Sequence, residues 1–199
     1  MNTVPMVIKK TNDGERAMDI ASRLLDDNII LLTGEINDIM AEVVMAQLLY
    51  LDSLGKEEPI HIYINSPGGS VTAGLAILDT MRLVKSKIYT YCIGLAASMG
   101  SILLSSGDKR YIVPHAEVMI HQPLGGTKGQ ATEIEIAAKH ISRTKEVLNS
   151  ILAENCGRTY EEVSQDTERD NWKSAAEELE YGLVDKIITK LDDMESEDS

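Results

Sequence analysis

The sequence predicts an α/β fold in which strands and helices alternate in layers. Two observations support this prediction. Apolar strand-like runs and amphipathic helical patterns follow one another along the chain, and the apolar residues are mostly aliphatic, since the 199 residues include no phenylalanine and one tryptophan. Because strands joined by helices run in the same direction, this order favours a parallel sheet. The length fits one domain, which we place at residues 1–199.

Hydrophobic periodicity locates each element along the chain. Helical spacing of apolar residues covers residues 15–26, 39–51, 71–84, 99–104 and 131–154, and strand-like runs cover 29–32, 60–64, 87–95, 111–113, 118–120 and 184–188. Two capping boxes, Thr159 with Glu162 and Ser174 with Glu177, predict two further short helices. The longest helix follows a glycine-rich stretch, and we expect it to project from the body of the fold.

Composition and charge exclude several classes of protein. The chain has 19 basic and 32 acidic residues and a net charge of −13, which opposes a nucleic-acid partner held through its phosphates. The sequence has no 18-residue apolar run, and residues 1–10 lack the pattern of a secretion signal. Cys92 and Cys156 have no paired spacing, which fits a reducing compartment. We therefore expect a cytoplasmic protein without a nucleic-acid or membrane partner, and without a metal or cofactor.

Ser98 is the first candidate for chemistry. It lies in the segment 94–101, where a strand passes into a helix between small residues. This pattern is similar to a nucleophile elbow, in which a sharp turn exposes the serine hydroxyl beside the N–H groups of a helix N-terminus. Ala96 stands where that motif has its first glycine. A serine that caps the helix in a tightly packed crossing explains the segment equally well.

A serine nucleophile needs a base, and the chain offers four histidines. His61, His115 and His140 lie on a strand face, in a turn and within the long helix, where a packed or solvated side chain is the simpler explanation. His121 follows the apolar strand 118–120, so it stands at a strand terminus, where α/β folds assemble their sites. A structural histidine is equally common at such a position.

The other parts of such a site are not fixed by spacing. The polar loop 166–172 contains Asp166 and Asp170, either of which could orient an imidazole, and a solvated loop has the same composition. The glycine-rich segment 65–70 follows a strand and opens a helix, but it lacks the lysine of a phosphate loop. Its backbone N–H groups suit an oxyanion, although a simple tight turn also explains the glycines.

Four segments together resemble one known family. Residues 66–70, 96–101, 119–126 and 166–172 are similar, in this order, to motifs of the proteolytic subunits of ATP-dependent Clp proteases, the ClpP family, and the similarity covers nearly the whole chain. The resemblance implies a ClpP/crotonase-like fold of repeated strand–helix layers with a projecting handle helix. It also implies a serine endopeptidase with Ser98 as nucleophile, His121 as general base and acid, Asp170 as orienting carboxylate, and the N–H groups of Gly69 and Met99 as oxyanion hole.

The resemblance assigns further residues and segments to substrate and partner binding. Substrate contacts are expected at Gly68, Val71, Leu124 and Gly125, with the strand 124–126 pairing with the substrate backbone. The docking pocket for an unfoldase is expected to include Leu49, Tyr63, Leu83 and Tyr91. Within the chain, residues 1–18 would form a mobile pore segment, residues 122–155 the handle, and residues 191–199 a disordered acidic tail.

The resemblance also implies partners. Members form two stacked heptameric rings around inner active sites and receive unfolded polypeptides from a hexameric AAA+ unfoldase. This chain departs from the family in a shortened loop at residues 107–110, and at Leu83 and Tyr91, where the pocket often has an aromatic and an aliphatic residue. Two alternatives stay open: a catalytically silent ring subunit paired with an active paralogue, and a crotonase-like acyl-CoA enzyme, which the Ser98–His121 pair disfavours.

Overall fold

The molecule is built around a seven-stranded, mostly parallel sheet. The computed structural model describes residues 5–11 and 14–194. The strands are β1 (Met6–Thr11), β2 (Gly14–Asp19), β3 (Ile29–Thr33), β4 (Ile60–Ser66), β5 (Ile88–Ala97), β6 (Lys109–Ile112), β7 (Glu117–Ile120), β8 (Asn171–Ser174) and β9 (Lys186–Ile187). The central sheet follows the order β3-β4-β5-β6-β9, with β7 paired to both β5 and β8, while β1 and β2 form a separate antiparallel pair.

Helices connect most of these strands. They are α1 (Ile20–Asp26), α2 (Asp38–Ser53), α3 (Val71–Leu83), α4 (Met99–Ser105), α5 (Ala131–Cys156), α6 (Tyr160–Asp166) and α7 (Ala175–Tyr181), followed by a 3-10 turn at Leu191–Met194. Both predicted capping boxes are confirmed. At the start of α6, the side chains of Thr159 and Glu162 each accept a hydrogen bond from the backbone N–H of the other residue. The side chains of Ser174 and Glu177 do the same at the start of α7. Within the described ranges, no helix is both long and apolar enough to span a bilayer.

Strand β5 determines how the sheet is arranged, because it changes partners along its length. Its first half pairs in parallel with β6, and its second half pairs in parallel with β7, with Ala97 opposite Met119. Strand β8 then pairs antiparallel with β7, so that Asn171 lies opposite Ile120. The carboxyl ends of β5 and β7 and the start of β8 therefore meet at one edge of the sheet.

The core lies between the sheet and its helices. Along β4, Ile60, Ile62 and Ile64 are buried on one face, as the alternation predicts, while His61 and Tyr63 point to the other face. Aliphatic side chains of α2, α3 and α4 pack against the Ile face in one continuous cluster. Burying each such side chain stabilises the fold by about 1.5–3 kcal/mol, so this cluster anchors the strands that carry the site residues.

The structure corrects three expectations about the elements. The helix predicted at 15–26 begins only at Ile20, because β2 pairs with β1 and the Asp19 carboxylate caps α1 by accepting from Ser22 N–H. An unpredicted strand, β8, begins within the segment 166–172 and extends to Ser174. The predicted disordered tail starts with an ordered 3-10 turn, in which the Asp193 carboxylate accepts from Thr189 and Lys190. Residues 1–4 and 12–13 of the predicted pore segment 1–18, and residues 195–199 of the predicted tail, lie outside the described residues.

The buried face of β3 gives the first test. Leu32 is 0% exposed and its neighbour Leu31 is 50% exposed on the opposite face. We expect Leu32→Ala to lower the free energy of unfolding by about 2–5 kcal/mol, because it leaves a cavity in the core. Leu31→Ala is the matched control and should cost about 1 kcal/mol or less. Denaturant unfolding of both variants checks this, and equal losses would contradict the assignment of the faces.

Candidate active site

Ser98 and His121 are neighbours because of the sheet. Ser98 directly follows β5 and His121 directly follows β7, and these two strands are paired in parallel. The Ser98 N–H donates to the Met119 carbonyl at 2.8 Å, which extends the pairing by one residue. Both side chains therefore leave the sheet at the same edge, as expected for an α/β site.

Ser98 has the backbone of a sharp, strained turn. Its φ is 54° and its ψ is −122°, a conformation that residues with a Cβ rarely adopt. The Ser98 carbonyl accepts from the Ser101 hydroxyl at 2.6 Å and from the Ser101 N–H at 3.0 Å, and these bonds hold the turn. The Ser98 side chain makes no capping bond to α4. The structure therefore favours the elbow over the capping serine, because the hydroxyl is free to face His121.

A chain of hydrogen bonds joins three of the predicted side chains. The Ser98 Oγ lies 2.9 Å from His121 Nε2, and His121 Nδ1 lies 3.0 Å from Asp170 Oδ1. An ionised carboxylate only accepts, so we assign the proton on the imidazole to Nδ1, which leaves Nε2 as an acceptor for the Ser98 hydroxyl. The imidazole is largely buried, whereas the Asp170 carboxylate is 63% exposed. This arrangement can withdraw a proton from Ser98 and stabilise the imidazolium that results.

Antiparallel pairing with β7 brings Asp170, and not Asp166, to the imidazole. Asp170 directly precedes β8, whose first residue pairs with the last residue of β7. The preceding turn is tied to Gln122, whose backbone N–H donates to the Thr167 carbonyl at 2.7 Å and whose side chain donates to the Glu168 carbonyl at 2.9 Å. Asp166 instead accepts from the Tyr181 hydroxyl at 3.0 Å. The geometry thus separates two candidates that spacing left equal.

Backbone N–H groups for an oxyanion lie beside Ser98. Met99 begins α4, so its N–H has no intrahelical acceptor. Gly69 forms a parallel bridge with Ile36. In this bridge the Ile36 N–H donates to the Gly68 carbonyl, and the Ser70 N–H donates to the Ile36 carbonyl. The bridge therefore does not use the Gly69 N–H. These are the two donors that the resemblance predicts.

Gly68 is required by the close approach of its backbone to the elbow. Its φ is +89°, and a Cβ added there would lie 2.6 Å from Ser98 Cβ and 2.7 Å from the Ala97 carbonyl oxygen. At Gly69, with a φ of +148°, an added Cβ would lie 2.2 Å from the Ile36 carbonyl oxygen. The glycine pair is therefore more than a generic turn, because it lets one loop pack against Ser98.

A cavity of about 240 Å³ opens next to the hydroxyl of Ser98. Its walls are mostly apolar and include Val71 and Leu124, which were predicted as substrate contacts. They also include residues that sequence reasoning missed: the apolar Ile102, Met119, Leu148 and Leu152 and the polar Asn149. The missed residues come from three elements that only the folded chain brings together. Gly125 lies in an adjoining groove that Val71 and Leu124 also line, whereas Gly68 packs behind the elbow. The cavity can receive an apolar side chain beside the reacting bond.

The segment expected to pair with substrate is not a strand in this structure. Residues 121–128 have no regular secondary structure, and Leu124 is 84% exposed. A strand needs a hydrogen-bonded neighbour, and none of the described strands pairs with this segment. Its backbone remains open to an added strand, which is the role predicted for it.

The predicted docking residues differ in their exposure to solvent. Tyr63 stacks on Tyr91 at 4.5 Å between ring centroids, and Tyr91 stacks on Tyr111 at 5.0 Å. Tyr91 is fully buried, and its hydroxyl is hydrogen-bonded to His61 Nδ1 at 2.7 Å. Tyr91 therefore offers no exposed surface of its own in this chain and supports Tyr63 from beneath. Burial also raises the pKa of the Tyr91 hydroxyl and lowers the pKa of His61.

Leu49 and Leu83 are exposed apolar side chains on α2 and at the end of α3, outside the aromatic cluster. The shortened loop lies near the start of β5. There the Asp108 carboxylate accepts from the Ile88 N–H at 2.8 Å and from Lys87 at 2.8 Å, so the loop closes tightly onto the strand. Their exposure leaves Leu49 and Leu83 accessible to a partner, as a docking role requires.

The glycine at position 68 gives the second test. Gly68→Ala places a methyl group against Ser98 and strains the backbone, and a displacement of about 1 Å at the nucleophile typically lowers turnover by about 100-fold. Gly55→Ala is the control, because Gly55 also has a positive φ, of +62°, and an added Cβ there meets nothing within 4 Å. Initial rates of short-peptide hydrolysis compare the two variants. Equal activity of Gly68→Ala and the control would contradict the tight packing against Ser98.

Comparison with protein families agrees with this architecture. The family model described as Clp protease matches residues 12–191, which is most of the chain and includes Ser98, His121 and Asp170. Membership implies a peptidase that assembles into oligomeric rings and works with Clp unfoldases. The mixed α/β fold with a mostly parallel central sheet is consistent with this family. The chain belongs to the Clp protease family.

Proposed function

We propose that the chain is the serine endopeptidase subunit of an ATP-dependent Clp protease, in which Ser98 is acylated by the substrate. The observation that carries the proposal is the hydrogen-bonded series from Asp170 through His121 to Ser98, with distances of 3.0 and 2.9 Å, at the mouth of an apolar cavity. A nucleophile, a base and an orienting carboxylate in this order are the parts that acyl transfer to serine requires.

Each step of the reaction uses groups of this site. The Ser98 hydroxyl attacks the scissile carbonyl while His121 Nε2 takes its proton. The N–H groups of Gly69 and Met99 stabilise the oxyanion of the tetrahedral intermediate, an interaction whose loss typically lowers turnover by about 100- to 1000-fold. His121 then protonates the leaving amine, which leaves an acyl-Ser98, and a water molecule activated by the same imidazole hydrolyses this ester.

The surroundings of Ser98 favour an extended polypeptide as substrate. The unpaired backbone at residues 124–125 can accept a substrate strand through main-chain hydrogen bonds, which do not depend on sequence. Val71 and Leu124 would then flank the substrate where the groove meets the cavity. A folded protein offers few such free strands, so the proposed substrates are unfolded chains supplied by a AAA+ unfoldase.

The proposed assembly is two stacked heptameric rings in the cytoplasm, with α5 as the handle between them. The N-terminal part of α5 is exposed and includes the apolar residues Ile134 and Ile136, whereas its C-terminal part packs on the body through Leu148 and Leu152. Exposed aliphatic residues on a projecting helix fit burial against another subunit. Tyr63, Leu49 and Leu83 are proposed to contact the unfoldase.

The proposal makes a direct test of activity possible. Purified chain should hydrolyse a short fluorogenic peptide without ATP, and Ser98→Ala should lower the rate by more than about 10⁴-fold. Degradation of a folded protein should require an added AAA+ unfoldase and ATP. The silent-subunit alternative would be established if assembled rings hydrolysed the peptide only after mixing with a paralogue. The crotonase-like alternative would be established if the chain turned over an acyl-CoA and Ser98→Ala kept this activity.

The role of the carboxylate gives a separate test. Asp170→Asn removes the charge that orients and stabilises the imidazolium, and we expect kcat to fall roughly 100- to 10,000-fold while the rings stay assembled. Asp166→Asn is the matched control, because asparagine still accepts from Tyr181. Peptide hydrolysis and size analysis of both variants check this. Wild-type turnover in Asp170→Asn would rule out the assigned role.

A further inference from the structure

Glu178 is a buried carboxyl group that the proposed reaction does not use. It lies on α7, is 0% exposed, and neither Oε1 nor Oε2 has a hydrogen-bond partner within the described residues. A buried carboxylate without partners is strongly disfavoured, whereas the neutral acid is tolerated far better. The position therefore favours a protonated Glu178 in the folded chain.

The charged and titratable groups around Glu178 do little to stabilise its ionised form. Among the described residues, Lys173 on β8 is the cation that favours ionisation, but its ammonium donates to Asn171 at 2.7 Å and lies over the Tyr181 ring. Cys92 on β5 and Cys156 on α5 interact with Glu178 as neutral thiols, because burial raises the pKa of each to about 12. Glu177, the neighbour on α7, adds negative charge.

The other charged groups on adjacent elements are already bound. Arg110 pairs with Asp185 and donates to the Asn155 and Gly182 carbonyls. Arg158 donates to the Tyr181 carbonyl and lies over the Tyr181 ring. Two more charged side chains come from the strands next to α7: Glu117 of β7, which is exposed, and Lys186 of β9, which donates to the Asp193 carbonyl.

Helix α7 connects Glu178 to the candidate active site. The helix directly follows β8 and packs against β7, β8 and β9. Asp170 immediately precedes β8, and among the described strands β8 pairs only with β7. An ionised Glu178 must reach water, which requires α7 to move away from the sheet and to loosen the strand that carries Asp170.

We propose that Glu178 is a proton-dependent latch: its neutral carboxyl keeps α7 packed under β8 and Asp170 in place, and its ionisation in mildly alkaline solution releases β8 and switches the active site off. The activity part of this inference rests on the proposed function, while the stability part does not.

The direction of the pH effect follows from proton binding. Burial, opposed weakly by Lys173, raises the pKa of Glu178 to about 8. In the unfolded chain the group ionises at its ordinary pKa of about 4.3, so between these values the folded state holds a proton that the unfolded state has lost. The stabilisation of the fold by the neutral Glu178 is complete below the unfolded pKa. Between the unfolded and folded pKa values, each pH unit lowers the folding equilibrium constant about tenfold. Above the folded pKa this stabilisation is lost.

Two neutral variants test the latch. Wild-type peptide hydrolysis should fall about tenfold between pH 7 and pH 9, and Glu178→Gln should keep its pH 7 rate at pH 9. Glu178→Leu should behave in the same way and covers the case in which the buried amide prevents folding. Glu180→Gln, an exposed change on the same helix, is the control and should follow the wild type.

Thermal unfolding should show wild type losing stability relative to Glu178→Gln from pH 5 to pH 8, with a constant difference above that.

Equal alkaline loss of activity in wild type and in both neutral variants would overturn the latch. If the wild-type rings hydrolyse no peptide at pH 7, the proposed function fails, and the thermal comparison still decides the state of Glu178. A wild type whose stability runs parallel to that of Glu178→Gln from pH 5 to pH 8 would show that the carboxyl is already ionised in the fold.

Discussion

The register between β5 and β7 is the constraint on which the site depends. Strand β5 pairs with β6 first and then with β7, and in the second pairing Ala97 lies opposite Met119. Because the side-chain period of a strand is two residues, a shift of one residue in either strand would turn Ser98 or His121 to the other face. The same strand β7 then holds β8, so one short segment positions all three members of the hydrogen-bonded series.

This arrangement places strain beside rigid packing. Ser98 has an unfavourable backbone conformation, and Gly68 and Gly69 approach their neighbours too closely to carry a Cβ. Such strain persists only when the surroundings hold it, and here the Ser101 bonds and the Ile36 bridge do so. The carboxylate side is held less firmly, because β8 is a short edge strand and Asp170 is mostly exposed. Regulation through α7 acts on this less constrained side.

Much of the fold was predictable from periodicity, because burial on one face imposes it. The alternation in β4 and the helical spacing in α3 and α5 depend on local sequence, and the strand termini pointed to Ser98 and His121. Asp170 was different: β8 is short, half exposed and antiparallel, so its residues show no apolar pattern, and only the family resemblance selected Asp170 over Asp166. The family resemblance placed Tyr91 in the docking pocket, but its burial could not be predicted, because a strand pattern does not reveal that stacked rings cover the second face.

The central claim is that Ser98 is an activated nucleophile, and covalent labelling tests it most directly. The account predicts that a fluorophosphonate probe adds one mass increment to the assembled wild-type chain and none to Ser98→Ala, because only an oxygen deprotonated by His121 and next to an oxyanion hole attacks the phosphorus at a useful rate. Intact-mass spectrometry reads out the result. Assembled rings that remain unlabelled, or an equal adduct on Ser98→Ala, would contradict the account.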